Sequence, residues 1–259
     1  MISRRTLLQL ALVSPVLAAL PQLRRSLLDA PSGVVPLIDG ANVSRVKVVR
    51  KWNGSICRSK VTNQGREPVK IKEIVLFDLQ LSFPSSTRLY GEGFQMLSQT
   101  GGTLGQPSDL GNYTDAKHYK MPTPAGSKAF YGMMMLSPST RDNYLFAFTS
   151  CRRYIGQFYL NNPSLKVVVD TEGGELKPGE TWQLEHFTYQ SGSDREQLLD
   201  KLATQLVANH PPLRFLAPPT GWCSWYCFGP RVTAKQVLDN LDFIAKHTPG
   251  VRYVQIDDG

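Results

Sequence analysis

The chain has 259 residues, 41% of them hydrophobic and 19% charged, which is material for a buried core in one large or two ordinary domains. Its formal net charge is +8, but the 29 Lys and Arg are scattered among 21 Asp and Glu. No recognition motif accompanies them, so nucleic acid is excluded as the expected partner. Four cysteines, Cys57, Cys151, Cys223 and Cys227, are too few and too dispersed for a disulfide scaffold, and read as buried apolar residues or free thiols.

The first segment, "MISRRTLLQLALVSPVLAALP", has a basic head at Arg4-Arg5 followed by an uncharged apolar run from Thr6 to Leu20. The run is short for a spanning helix, which needs about 20 apolar residues. Residues 1–20 therefore read as a signal peptide of the bacterial twin-arginine type, with Ala18 and Ala19 as small residues for cleavage. An export signal implies a periplasmic or extracellular protein with no stable membrane span after cleavage. An N-terminal anchor or amphipathic leader is the alternative.

Residues 30–190 read as strand after strand. "SRVKVVRKW" alternates basic with apolar residues like a half-exposed strand, "CRSKV" alternates strictly, and "NQG" at Asn63 to Gly65 is turn chemistry. "PVKIKEIVLFDLQLSF", "NYLFAFTS", "RRYIGQFYL", "LKVVVD" and "TWQLEHFTYQ" follow, with reversals expected at Gly173-Gly174 and Pro178-Gly179. The pattern predicts a large antiparallel sandwich. The Gly-, Pro-, Ser- and Thr-rich stretch from Arg88 to Phe130 reads as long loops.

Residues 191–220 change in character. Ser193 stands three residues before Glu196 in a capping-box arrangement, and Leu198, Leu199, Leu202 and Leu206 share one helical face until Asn209 and Pro211-Pro212. This predicts a linker helix between two domains. Residues 221–259 then give an apolar strand from Gly221 to Phe228, broken by Gly229-Pro230. A helix capped by Thr233 and Gln236 follows, then a buried strand from Val251 to Ile256. That is one β-α-β unit, with parallel strands joined by a right-handed crossover. In a strand, Cys223 and Cys227 would lie roughly 13 Å apart, beyond the reach of a disulfide. Without neighbouring His or further Cys, a metal site is not expected.

"PPTGWCSWYCFGP" and "VTAKQVLDNLDFIAKHTPGVRYVQIDDG", preceded by a β-rich domain with "LKPGE" and "GSDREQLLDKLA", resemble glycoside hydrolase family 36, the α-galactosidases (melibiases) and their raffinose-synthase relatives. The resemblance covers the chain after the signal and is densest in its last forty residues. It implies a multi-domain β plus α/β protein. An N-terminal antiparallel β-sandwich, or supersandwich, would precede the first β-α-β unit of a truncated (β/α)8 TIM barrel. Active sites of such barrels sit at the C-terminal ends of the strands, where Asp257 and Asp258 fall. The resemblance implies that this pair binds the 4- and 6-hydroxyls of galactose and that Trp222 faces the sugar ring. The plainer reading of "DDG" is an acidic turn leaving a strand, and that of Trp222 and Trp225 is core packing, with strand alternation sending the two to opposite faces.

Asp257 and Asp258 are not expected to be the catalytic pair. A retaining glycosidase needs two carboxyl groups about 5 to 5.5 Å apart across the glycosidic bond, and adjacent residues on one strand end sit on one side of the sugar. In the family both catalytic aspartates come from later strands, expected here beyond Gly259. This chain is then the N-terminal part of an exported retaining α-galactosidase, inactive by itself, with an α-galactoside or oligosaccharide as substrate and no cofactor or metal. Oligomerisation is left open. A raffinose-synthase-like transglycosylase, or a non-catalytic carbohydrate-binding or assembly sandwich, are the alternatives. One departure from the family is "GFQMLS", with Leu97 where relatives often carry tryptophan. Asp115, His118 and Tyr119 are polar candidates in a nearby loop, for which a plain surface loop is the simpler reading.

Overall fold

The computed structural model describes residues 19–95, 97–110, 119–211 and 219–258, with side chains from Leu23 onward. The signal-peptide segment lies almost wholly outside the described residues, as do Asp115 and His118. The chain divides into two compact units, one ending at His210 and one beginning at Pro211.

In the first unit, helix α1 (Ala19–Asp29) is followed by β1 (Gly33–Pro36), β2 (Val46–Asn53), β3 (Ile56–Asn63), β4 (Val69–Gln80), β5 (Arg88–Gly91), β6 (Thr100–Gly102) and β7 (Pro107–Asp109). Next come β8 (Lys128–Tyr131), β9 (Met133–Ser137), β10 (Asn143–Phe148), β11 (Ile155–Asn161), β12 (Ser164–Leu176), β13 (Thr181–Gln183) and β14 (Phe187–Gly192). Helix α2 (Arg195–Asn209) closes the unit. The strands form two antiparallel sheets. One runs β1-β4-β12-β11-β8; the other runs β13-β3-β14-β10-β9-β5-β6-β7, with β2 added beside β3.

Alternation makes this a sandwich. Along β3 every second side chain is buried, because successive residues of a strand point to opposite faces; β4 follows the same pattern in stretches, broken where Leu76 and Phe77 are buried in succession and the register against β12 shifts. The inward set meets across the sheets. Phe77 of β4 lies 5.1 Å from Phe187 of β14, and Phe148 of β10 lies 5.5 Å from Phe158 of β11. All four rings belong to one continuous core. Each ring withdrawn from water contributes about 1.5–3 kcal/mol.

Several features differ from the sequence expectations. Gly173-Gly174 does not reverse the chain but lies inside β12, where the register against β4 shifts between Asp170 and Gly174. Glu172 and Gly173 absorb the extra residues in the left-handed region, at φ 53° and 74°, and the Glu172 N–H donates to Asp170 Oδ1 at 2.8 Å. The stretch from Arg88 to Phe130 is not all loop, since β5, β6 and β7 extend one edge of the larger sheet. Helix α1, which no sequence signal announced, buries Leu23 and Leu27 in the sandwich core, and Arg24 donates to the Gly54 carbonyl at 2.7 Å.

Helix α2 is capped by Asp194 rather than Ser193. Asp194 Oδ1 accepts from the N–H groups of Glu196 and Gln197, because a carboxylate one residue later is the better acceptor for those unpaired amides. The helix expected to act as a linker packs on the sandwich, with Leu198 and Leu202 buried against Met135, Leu145 and Ala147. Leu206, expected on the same face, is exposed. No helix among the described residues is long and apolar enough to cross a membrane.

The second unit contains β15 (Gly221–Cys223), α3 (Trp225–Phe228), a single 3-10 turn at Gly229–Arg231, α4 (Ala234–His247) and β16 (Tyr253–Gln255). Its sheet holds the parallel pair β15-β16. The Thr233–Gln236 capping box is present in both directions. The strand expected from Gly221 to Phe228 ends at Cys223, where Ser224 turns into the helical region and α3 begins. The separation inferred for Cys223 and Cys227 in one strand therefore does not apply; both are free thiols. The expected buried strand is also exposed at all three of its residues.

Candidate functional site

In the second unit Asp257 and Asp258 follow the end of β16, while Trp222 is the middle residue of the paired strand β15, with no contact to either carboxylate among those the described residues make. Trp222 stands opposite Val254 and Cys223 opposite Gln255, so the residues following both strands emerge at the same edge. Gly221 makes this approach possible: a Cβ there would fall 2.2 Å from the Tyr253 carbonyl oxygen, which no other residue tolerates.

Ser224 ties the two strand ends together. Its N–H donates to the Gln255 carbonyl at 3.0 Å, and its Oγ accepts the Asp257 N–H at 3.0 Å. It is fully buried. The Asp257 carboxylate is gripped from three directions. Oδ2 accepts from Gln255 Nε2 at 2.8 Å and from the Cys223 thiol at 3.5 Å, while Oδ1 accepts from the Asp258 N–H at 2.9 Å. The Asp258 N–H chiefly, with the Cys223 thiol and the Gln255 amide, holds the Asp257 carboxyl below the usual aspartate range against the opposing effect of desolvation. It is a carboxylate at neutral pH, half-buried, with the exposed Asp258 beside it.

Trp222 is half-buried and meets Phe228 edge to face, ring centres 6.4 Å apart. Trp225, which strand alternation placed on the opposite face of the same strand, instead opens α3 and is exposed. Cys223, Ser224 and Gln255 complete the arrangement and were missed in the sequence. Ser224 is of the residue type that often precedes a helix, but its side chain does not cap α3 and accepts the Asp257 N–H instead. Elsewhere, Tyr119 is exposed with its ring against Phe94, and Leu97 is exposed. Among the described residues no cluster of three or more His, Cys, Asp or Glu could hold a metal ion.

No protein-family model matches the chain, and no curated protein matches it significantly. Similar solved structures exist. One is a family 36 α-galactosidase variant from Geobacillus stearothermophilus in complex with 1-deoxygalactonojirimycin, with 12% identity and a TM-score of 0.47 over 83% of this chain and 32% of that one. Another is an α-galactosidase from Thermus thermophilus in complex with p-nitrophenyl α-D-galactopyranoside, with 19% identity and a TM-score of 0.44 over 82% of this chain and 41% of that one. A further Geobacillus stearothermophilus variant, in complex with stachyose, shows 11% identity and a TM-score of 0.46 over 88% and 37%. The chain thus spans well under half the length of each of these structures.

Proposed function

We propose that the chain is the N-terminal part of an exported retaining α-galactosidase, and that Trp222, Asp257 and Asp258 form the galactose-binding end of its site. The observation that carries the reading is the pair of adjacent carboxylates just after the C-terminal end of a parallel strand whose partner strand carries Trp222. Ionised carboxylates accept charge-assisted hydrogen bonds, so two neighbouring ones suit two neighbouring sugar hydroxyls, while an indole face suits the C–H surface of the ring. The sequence resemblance of "GWCSW" and "YVQIDDG" to family 36 supports the same assignment.

Hydrolysis with retention proceeds through a covalent glycosyl-enzyme intermediate and needs a nucleophile and an acid/base facing each other across the glycosidic bond. Asp257 and Asp258 are consecutive on one strand end and joined by the Asp258 N–H, so they bind and orient rather than attack. The catalytic pair is expected beyond Gly259. Export rests on Arg4-Arg5 and the apolar run that follows.

The test is calorimetric titration of the purified chain with galactose, raffinose and stachyose, together with an assay on p-nitrophenyl α-D-galactopyranoside. Binding of galactose in preference to glucose, lost in the Asp257→Asn/Asp258→Asn double variant and without turnover, is the expected result. Turnover by this chain, or galactose binding indifferent to both substitutions, overturns the reading.

A further inference from the structure

We infer that Cys223 and Ser224 are positioning residues for Asp257, fixing its carboxylate so that a single lone pair on Oδ1 is left for a ligand hydroxyl. The inference rests on the reading of Asp257 as a sugar-binding group and adds which of its oxygens does the binding and what holds that oxygen in place.

A carboxylate offers about four lone-pair sites. Oδ2 uses two of them, on the Gln255 amide and the Cys223 thiol, which arrive from the two paired strands at opposing register positions. Oδ1 uses one, on the Asp258 N–H. One lone pair of Oδ1 is left. Asp257 is therefore suited to a single hydroxyl rather than a bidentate grip on two, and a second hydroxyl falls to the exposed Asp258.

The carboxylate can be held this way only if its backbone is fixed as well. Ser224 does this from the buried side, accepting the Asp257 N–H on Oγ while its own N–H extends the β15-β16 ladder to the Gln255 carbonyl. The two consecutive residues thus act on Asp257 at different atoms. Cys223 fixes the rotation of the carboxylate, and Ser224 fixes the main chain from which it projects. A thiol is a weak donor with a long reach, and here it spans 3.5 Å to an oxygen that already has an amide partner. An alcohol at position 223 keeps a donor, shorter in reach but stronger, whereas a methyl group keeps none.

The experiment uses the whole chain with its aspartates labelled at the carboxyl carbon. Two quantities are read for the wild type, Cys223→Ala and Cys223→Ser: the Asp257 titration by NMR, and the Kd for galactose by calorimetry. Expected is an Asp257 titration that moves upward toward the ordinary aspartate range in Cys223→Ala, with galactose Kd weakened about tenfold. Both return toward wild type in Cys223→Ser. An Asp257 titration unchanged in Cys223→Ala overturns the inference. A titration that moves while neither wild type nor variant binds galactose supports the positioning role and overturns the sugar assignment, so the two failures are distinct. Ser224→Ala removes a buried partner and can unfold the unit, and for that reason the Cys223 pair carries the test.

Discussion

The two units contain strands of similar composition and treat them in opposite ways. In the sandwich, Val167, Val168 and Val169 of β12 are fully buried, whereas in the second unit Tyr253 and Val254 of β16 are 53% and 40% exposed. On α4, Leu238 and Phe243 are likewise both about 60% exposed, although Val237 is buried. An apolar run fixes what a segment needs to cover, not whether it is covered. Antiparallel sheets can satisfy that need by facing each other, and the sandwich does so within one unit; a parallel pair needs layers on both faces, and the second unit's own described residues do not supply them. The consequence is that equivalent substitutions should have unequal costs in the two regions.

The largest effect is expected in the aromatic centre of the sandwich. Phe187 touches Trp52, Phe77, Phe148 and Phe158, with centroid distances of 5.1 to 6.5 Å. Phe187→Ala leaves a cavity that rings from both sheets cannot fill, and should cost about 3–5 kcal/mol. Urea denaturation followed by near-UV circular dichroism should show a lowered midpoint with an unchanged slope. A loss below about 1 kcal/mol would mean the two sheets are not joined through this ring.

A second effect comes from a buried charge. Glu185 lies between β13 and β14, where its carboxylate accepts from the N–H groups of Arg152, Arg153 and Tyr154 at 3.1, 2.9 and 3.1 Å and from the Ser150 hydroxyl. Burial pushes its carboxyl upward, but the Ser150 hydroxyl and the three backbone donors together outweigh it and hold the group below the usual glutamate range. Because the folded pKa is the lower one, its contribution is complete above the unfolded glutamate pKa. It is lost as pH falls through the folded pKa, since the unfolded chain takes up the proton first. Glu185→Gln should cost about 1–3 kcal/mol at neutral pH, because the three backbone donors on Oε1 then meet a neutral amide oxygen instead of a carboxylate and the amide nitrogen faces the Ser150 hydroxyl that had been donating. The variant should also flatten the acid limb of the melting-temperature profile, as pH falls below the unfolded glutamate pKa and through the lower folded one. An identical acid limb in the two proteins would rule out Glu185 as its source.

A third, smaller effect tests the rim of the same core. The Arg153 guanidinium lies 5.0 Å from the ring centre of Tyr154 and 5.2 Å from that of Trp182. Arg153→Ala should cost about 0.5–1 kcal/mol, measured by the same denaturation, whereas Arg153→Lys keeps the charge and loses part of the stacking.

How much of this was legible follows from the range over which each signal acts. The alternation in β3, the Asn63–Gly65 turn and the Thr233–Gln236 capping box are local, and the sequence carries them in full. Gly173-Gly174 was misread because a bulge and a reversal use the same residue. Only the pairing of β12 with β4 on both sides of it distinguishes them. At the candidate site, the two carboxylates at a strand end could be read directly. The part of the grip on Asp257 that comes from Cys223 and Ser224 could not, because it joins residues over thirty positions apart through a register that exists only once β15 and β16 are paired. The early end of β15 was hidden for a similar reason: Trp225 to Phe228 is as apolar as a strand, and it is the buried Ser224, held by the other strand, that starts the helix.

The smallest effect sharpens the comparison most. Phe243 is the same kind of residue as Phe187, but it lies on α4 60% exposed, with His247 stacked against it, ring centres 4.4 Å apart. If burial and not residue type sets the cost, Phe243→Ala should change the unfolding free energy of the second unit by no more than about 0.5 kcal/mol. Hydrogen exchange of the α4 amides gives the measurement, since it reports on that unit without the sandwich. Protection factors in α4 unchanged within about twofold are expected. A loss of protection of tenfold or more would show that the ring is covered in solution, and the contrast between the two units would then lie in what covers them rather than in how much is covered.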